Sequence, residues 1–252
     1  MHIRGELCVG AASLFSFAAV LLLVFTHIGQ IKPSSVPRSI ALVKIDVSAY
    51  GLGLEAATGD PTPGLYNTTE GAPLGQLLGL RQVYKWGLYS NCGYNDPGGG
   101  VCTNLTMAHR FKPAAVILGD TPGRYTVQTR ELISSLPSID DSIMTTAAYY
   151  MVLIGSILAL ITFLLGLIKT TLTFLVAFIF AGISSAMLIV AGALWTSIIQ
   201  KTNLINSIHV VTGPSLGIRV DFDIGLWLIW AAAVCMFLSI MPYLVSCCTF
   251  RR

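Results

Sequence analysis

Trp86-Gly87-Leu88-Tyr89-Ser90-Asn91-Cys92, followed after nine intervening residues by Cys102, is the stretch on which the fold turns. Residues 80–89 alternate, with Leu80, Tyr84, Trp86 and Leu88 on one face and Arg81, Lys85 and Tyr89 on the other. That period predicts a half-buried strand with Arg81 outward. Asn95-Asp96-Pro97-Gly98-Gly99-Gly100 is turn chemistry, because proline fixes φ and the glycines permit positive φ. Val101, Thr103 and Leu105 then alternate again. The stretch predicts a hairpin with arms at 80–89 and 101–105, which a Cys92–Cys102 disulfide can staple. The alternative is two free thiols near a loop. In the chain-entropy picture, closing so short a loop contributes about 3 kcal/mol.

Working outward, the composition is that of a membrane protein. Of 252 residues, 54% are hydrophobic and 11% charged, and mean hydropathy is +0.73. A soluble domain carries about 25% charged residues. The net charge of +3 and pI near 8.5 are too mild to indicate a nucleic-acid partner. Four runs, at about 7–28, 146–168, 172–199 and 224–245, contain no Asp, Glu, Lys or Arg. Each reaches the roughly 20 residues of helix that cross a bilayer. A cleaved signal peptide is the rival reading of the first run. The run is long for that role, and Val24-Phe25-Thr26-His27 is not a small-residue cleavage site. The third run, about 28 residues, would extend roughly 42 Å. It is expected to tilt or to protrude.

The chain therefore divides into a first membrane helix (1–28), a polar insert (29–145), and a segment (146–252) holding three more helices, a loop at 200–223 and a short tail. The insert carries two glycosylation acceptors, Asn67-Thr68-Thr69 and Asn104-Leu105-Thr106. Together with the cysteine pair they place it outside the cell or in a lumen, and they favour the disulfide. Four crossings then leave both termini cytosolic. Arg4, Lys169, Arg251 and Arg252 fall on that side, in keeping with the positive-inside tendency. Val43, Ile45 and Val47 alternate with Lys44, Asp46 and Ser48, which predicts a second strand. Residues 114–118 read as a weaker strand and 126–136 as a short helix. Small residues recur at spacing four, as Ala177, Ala181 and Ser185 in the third run and Ala231, Cys235 and Ser239 in the fourth. Such rows suit close helix packing in lipid.

Chemistry is sparse. Neither a nucleophile elbow, a phosphate loop nor a His-Glu-x-x-His occurs. The four histidines are scattered, and no cysteine–histidine spacing suits zinc. Asp140-Asp141-Ser142 reads as a helix cap rather than a metal site. The reading is thus no catalytic residue, no cofactor and no metal. Cys247 and Cys248, followed by Arg251 and Arg252, are either palmitoylation sites or free juxtamembrane thiols.

The pattern Gly87-Leu88-Tyr89-x2-Cys92-x9-Cys102 resembles the Gly-Leu-Trp-x2-Cys-x9-Cys signature of the claudin superfamily, with Tyr89 in place of tryptophan. Leu42-Val43-Lys44-Ile45-Asp46-Val47-Ser48 soon after the first helix, the long insert, and the lack of a tryptophan before Trp86 make the chain more similar to the fungal cortical-patch (Sur/PalI) branch than to animal claudins. The resemblance implies a claudin-like membrane four-helix bundle, left-handed, capped by a small extracellular antiparallel β-sheet from residues 40–118. It implies a non-catalytic plasma-membrane protein of eisosome-associated patches that support the cell wall, with membrane lipids, other membrane proteins or itself as partners. The alternatives are a claudin-like pore or calcium-influx component, and a helper in ambient-pH signalling. The edge of the sheet would be open to lateral pairing.

Overall fold

The computed structural model describes residues 2–69, 71–95, 99–134, 142–168, 170–207 and 216–249, without the side chains of 2–7, 134, 207 and 246–249. Eight helices are present among the described residues: α1 (His2–Ile28), α2 (Ser35–Ser39), α3 (Tyr50–Thr58), α4 (Pro113–Asp120), α5 (Thr126–Ser134), α6 (Ser142–Gly166), α7 (Thr171–Asn203) and α8 (Ile224–Thr249). Five strands accompany them: β1 (Val43–Asp46), β2 (Val83–Trp86), β3 (Asn91–Tyr94), β4 (Gly100–Cys102) and β5 (Arg219–Phe222). The chain forms two compact units. One holds residues 1–27, 147–194 and 226–252, and the other holds 28–146 and 195–225.

The first unit is the helical one. Helices α1, α6, α7 and α8 are each long and apolar enough to cross a membrane. Each buries a stripe at the three-and-four spacing of a packed helix face. On α1 the stripe is Ala12, Ser16, Ala19 and Leu23, and on α7 it is Phe174, Ala177, Ala181, Leu188 and Ala191. On α8 it is Ile229, Ala232, Met236, Ser239 and Tyr243. The row expected on α8 is therefore rotated: Ala231 is exposed, and Ala232 and Ala233 are buried beside Ser239. The reason is that large neighbours set the face, since Met236 and Tyr243 fill the seam and carry the alanines at 3.6-residue spacing with them.

Polar groups in this unit reach across helices. The Ser184 hydroxyl donates to the Gly155 carbonyl at 2.8 Å, Ser16 and Tyr243 share a hydroxyl bond at 3.1 Å, and His27 Nε2 meets the Ser156 hydroxyl at 2.9 Å. Small residues allow such approach where lipid offers no hydrophobic drive between helices.

The second unit is built on a five-stranded antiparallel sheet in the order β4-β3-β2-β1-β5. Three expectations are corrected here. First, the 80–89 strand ends at Trp86. The chain turns through residues 87–90, where the Gly87 N–H donates to the Ser90 carbonyl, and β3 pairs back on β2. The stapled hairpin is consequently β3–β4, with Cys92 directly opposite Cys102. Second, the sheet extends beyond residues 40–118, because β5 comes from the segment between α7 and α8 and pairs with β1. In addition, 114–118 is helical within α4, which starts with Pro113 at its first turn, where the missing N–H costs nothing. The helix expected over 126–136 is present as α5 through Ser134.

The turns of α7 from Trp195 onward belong to the sheet unit. The Trp195 ring packs edge-on to Phe111 at 6.4 Å. The turn residues 96–98, the acidic pair 140–141, Lys169, Arg251 and Arg252 lie outside the described residues, as does the side chain of Arg4.

Close packing of α6 on α7 is directly testable. A Cβ on Gly155 would sit 2.9 Å from Leu188 Cδ2, whereas one on Gly182 would meet nothing within 4 Å. Gly155→Leu is expected to cost about 1–3 kcal/mol by overpacking. Gly182→Leu should leave thermal unfolding of the purified protein unchanged, so equal behaviour of the two variants would contradict the packing.

Candidate functional site

The strand period sorts the sheet into two faces. Val43, Ile45, Tyr84, Trp86 and Val220 lie on one, cross-strand from each other in the observed register, and all are buried. Trp86 stacks edge-on to Phe111 at 5.2 Å and lies 6.3 Å from Tyr84, so an aromatic row runs from the sheet to Trp195. The opposite face presents Lys85 and Cys92, which are register partners.

Gln30, just past α1, organises that second face. It is fully buried, and its φ of 58° is a left-handed conformation that non-glycine residues rarely adopt. Its side-chain Nε2 donates to the carbonyls of Pro37 and Ile40, each at 2.9 Å. Its Oε1 accepts from the Tyr94 hydroxyl at 2.9 Å, and its backbone carbonyl accepts from the Ser90 hydroxyl at 2.5 Å. One glutamine thus ties the segment after α1 to β3 and to the segment entering β1. A Cβ on Gly87 would collide with Gly29 and Gln30, which explains glycine in the turn. Burial pushes the Tyr94 phenol up to about 12, against the opposing pull of Arg38.

Two carboxylates are structural. Asp120, buried at the end of α4, accepts from the Tyr84 hydroxyl at 2.6 Å and the Gly75 N–H at 2.5 Å. Burial raises its pKa despite those bonds. Asp223 pairs with Lys85 at 3.1 Å, both side chains being mostly shielded, and Lys85 also donates to the Arg38 carbonyl. The ion pair joins β2 to the residue that follows β5.

Arg81 departs from expectation. It is buried, not outward, and its guanidinium donates to the carbonyls of Thr69 and Ala72. Position 81 precedes β2, so the strand alternation that would turn it outward does not reach it.

The motif residues fall as follows. Cys92 and Cys102 are bonded, Trp86 and Leu88 are buried, Gly87 makes the turn, and Tyr89 is half-buried with its carbonyl accepting from the Thr106 N–H. Of the sequon residues, Asn104 is exposed, whereas Asn67 is only 8% exposed and its side chain accepts from the Thr69 N–H. The side chains of Cys247 and Cys248 lie outside the described residues. Among the described residues no three His, Cys, Asp or Glu gather in a way that could hold a metal ion. Gln30, Asp120 and Asp223 were not legible as site residues. The one hint in the sequence is a polar residue immediately after or before an apolar run, as with Gln30 and Asp223.

Four apolar crossing-length helices and a disulfide-stapled antiparallel sheet define a multi-pass membrane protein of the claudin-like tetraspan class. Residues 8–242 match the model of the SUR7/PalI family, and the chain belongs to that family. Comparison with curated protein sequences gave no match.

Trp86→Ala is expected to cost about 3–5 kcal/mol as a large buried truncation. Arg81→Ala should cost less, about 1.5–3 kcal/mol for its lost charge-assisted bonds. Thermal unfolding of the two purified variants orders them; Arg81→Ala as the worse variant would contradict this core.

His109 gives a pH dependence. Burial lowers its pKa below 6.5. The folded form therefore holds the proton less tightly than the unfolded chain. The stability it contributes is present above about pH 6.5 and falls as pH drops below that value. Wild type should lose thermal stability between pH 7 and 5, and His109→Gln should lose less. Parallel pH profiles would refute it.

Proposed function

We propose that the protein is a non-catalytic organiser or accessory subunit of plasma-membrane patches that support the cell wall. In this reading both termini are cytosolic and the sheet domain faces outward. The observation that carries it is the construction of the polar part of the chain. Its strands, disulfide and mostly shielded ion pair are spent on holding one compact domain, and its buried acid Asp120 is occupied within that domain. Family membership supports the same setting. The helices support it too: their exposed faces are apolar, with Leu14, Leu160, Ile189 and Phe237 among the residues offered to lipid or to neighbouring helices.

Lateral contact through the sheet edge is polar in this arrangement. β5 carries Arg219 and Asp221 outward, a pattern that discourages indiscriminate strand addition and favours a chosen neighbour. A claudin-like cation pore would draw on free acids. Here Asp120 is bonded to Tyr84, Asp223 to Lys85, and Asp46 to Ser48 and Lys44, which leaves Glu55, Asp60 and Asp221 among the exposed acids of the described residues that a pore would have to use.

The test is made in the native fungal setting and in liposomes. The tagged protein should lie in stable patches that disperse on Cys92→Ser, and it should carry a glycan at Asn104 but not at the enclosed Asn67. The reconstituted protein should pass no ions. Reproducible cation flux abolished by neutralising acids in residues 29–145, or a uniform distribution of the wild type, would overturn the organiser reading.

A further inference from the structure

β5 is the outermost strand on its side of the sheet, and β1 covers one of its two edges. In an antiparallel pair, successive residues turn their backbone groups to opposite sides. Asp223, just past the strand, donates its N–H to the Leu42 carbonyl at 3.3 Å. Arg219 and Asp221 therefore face β1 with their backbone groups, and Val220 and Phe222 face away from it.

The outward groups of Val220 are held by a side chain. Asn206 Oδ1 accepts from the Val220 N–H at 2.7 Å, and Asn206 Nδ2 donates to the Val220 carbonyl at 3.0 Å. The same amide nitrogen donates to Asn203 Oδ1. One partner is a backbone donor and the other a backbone acceptor, so the two bonds fix which end of the amide is oxygen. The carboxamide thus offers Val220 the acceptor and donor that a residue of another strand would offer. A groove of about 490 Å³ opens beside this edge, with Asn203, Asn206, Arg219 and Asp221 in its lining. The carboxamide has room there to swing aside.

The charges on β5 are self-complementary. Arg219 and Asp221 flank Val220, are exposed, and make neither of the two ion pairs found among the described residues. If a second β5 runs antiparallel with Val220 opposite Val220, each Arg219 stands opposite the other copy's Asp221. Opposite charges so placed stabilise a strand pair, and like charges destabilise it. The register centred on Asp221 would set Asp221 against Asp221, and the one centred on Arg219 would set Arg219 against Arg219. Of the three, the Val220-centred register alone matches the charges.

We propose that β5 is a self-pairing edge, at which two copies of the chain join antiparallel through Val220 and displace Asn206, the side chain that occupies the edge in the single chain. This rests on the organiser reading, to whose lateral contact it gives a partner, a second copy. Each copy exchanges side-chain bonds at Val220 for backbone bonds, so the gain in hydrogen bonding is small and the pairing is reversible.

The experiment is disulfide trapping of the full chain in phosphatidylcholine liposomes, with Cys8, Cys235, Cys247 and Cys248 changed to Ala. Arg219→Cys and Asp221→Cys chains are oxidised together and separately. The mixture should give at least fivefold more covalent dimer than either variant by itself, because the Val220-centred register sets position 219 opposite 221 of the other copy. Adding Asn206→Ala to both chains should raise the yield at least threefold, since the competitor for Val220 is gone. Energy transfer between labelled chains without the introduced cysteines should fall at least threefold in Asp221→Arg and return in Arg219→Asp/Asp221→Arg. No excess of dimer in the mixture, a folded Asn206→Ala chain that lowers or leaves the yield, or no return of transfer in the charge-swapped chain would overturn the proposal. Stable patches and absent ion flux alongside such a result would sink the self-pairing and not the organiser reading.

Discussion

Strand β1 has a neighbour on both sides, and the rest of the sheet domain depends on that. Val43 and Ile45 are buried, so the backbone donors and acceptors of this strand have no water to bond and need partners along both edges. β2 supplies one edge from within the long polar segment. β5 supplies the other from the short segment between α7 and α8. Two stretches that the helices separate widely in sequence therefore become one domain. The junction is then pinned by short bonds: the Gly225 N–H donates to the Ala41 carbonyl at 2.7 Å, and Asp223 reaches Lys85 on the next strand but one. A Cβ at position 225 would lie 2.6 Å from that carbonyl, so the close approach requires glycine.

Polar burial follows the same logic. Gln30, Asp120 and the Lys85–Asp223 pair would each be costly if left without partners. Each instead joins stretches of the sheet unit distant in sequence: residue 30 to β3, α4 to β2, and β2 to the residue after β5. Such groups contribute little net stability when satisfied, but the wrong arrangement of the same strands would strand them. They fix which strands meet, while the aromatic row of Tyr84, Trp86, Phe111 and Trp195 supplies the apolar burial. The disulfide locks β4 to β3 at the sheet margin.

Much of this was legible from residue order alone. Four ion-free runs became the four crossing helices within a few residues, because length and apolarity dominate in a membrane segment. The alternation over 43–48 became β1, and Cys92 met Cys102. What was hidden was hidden for physical reasons. Residues 80–89 alternate through a turn as well as a strand, and periodicity cannot see that Gly87 lets the chain reverse. Residues 219–222 are short, charged and unremarkable alone; they become a strand only because β1 has an open edge. Ala114–Leu118 is β-like in composition, yet Pro113 can open a helix that covers the buried face of the sheet. Gln30 reads as a loop residue, and its role exists only once β3 lies beside it.

The two polar segments thus form one compact domain. The central claim is that residues 219–222 complete the sheet. Hydrogen exchange of the full chain in nanodiscs tests it directly: amides of 219–222 should be protected together with those of 43–46 and open with them. Free exchange of 219–222 beside a protected 43–46 would contradict the account.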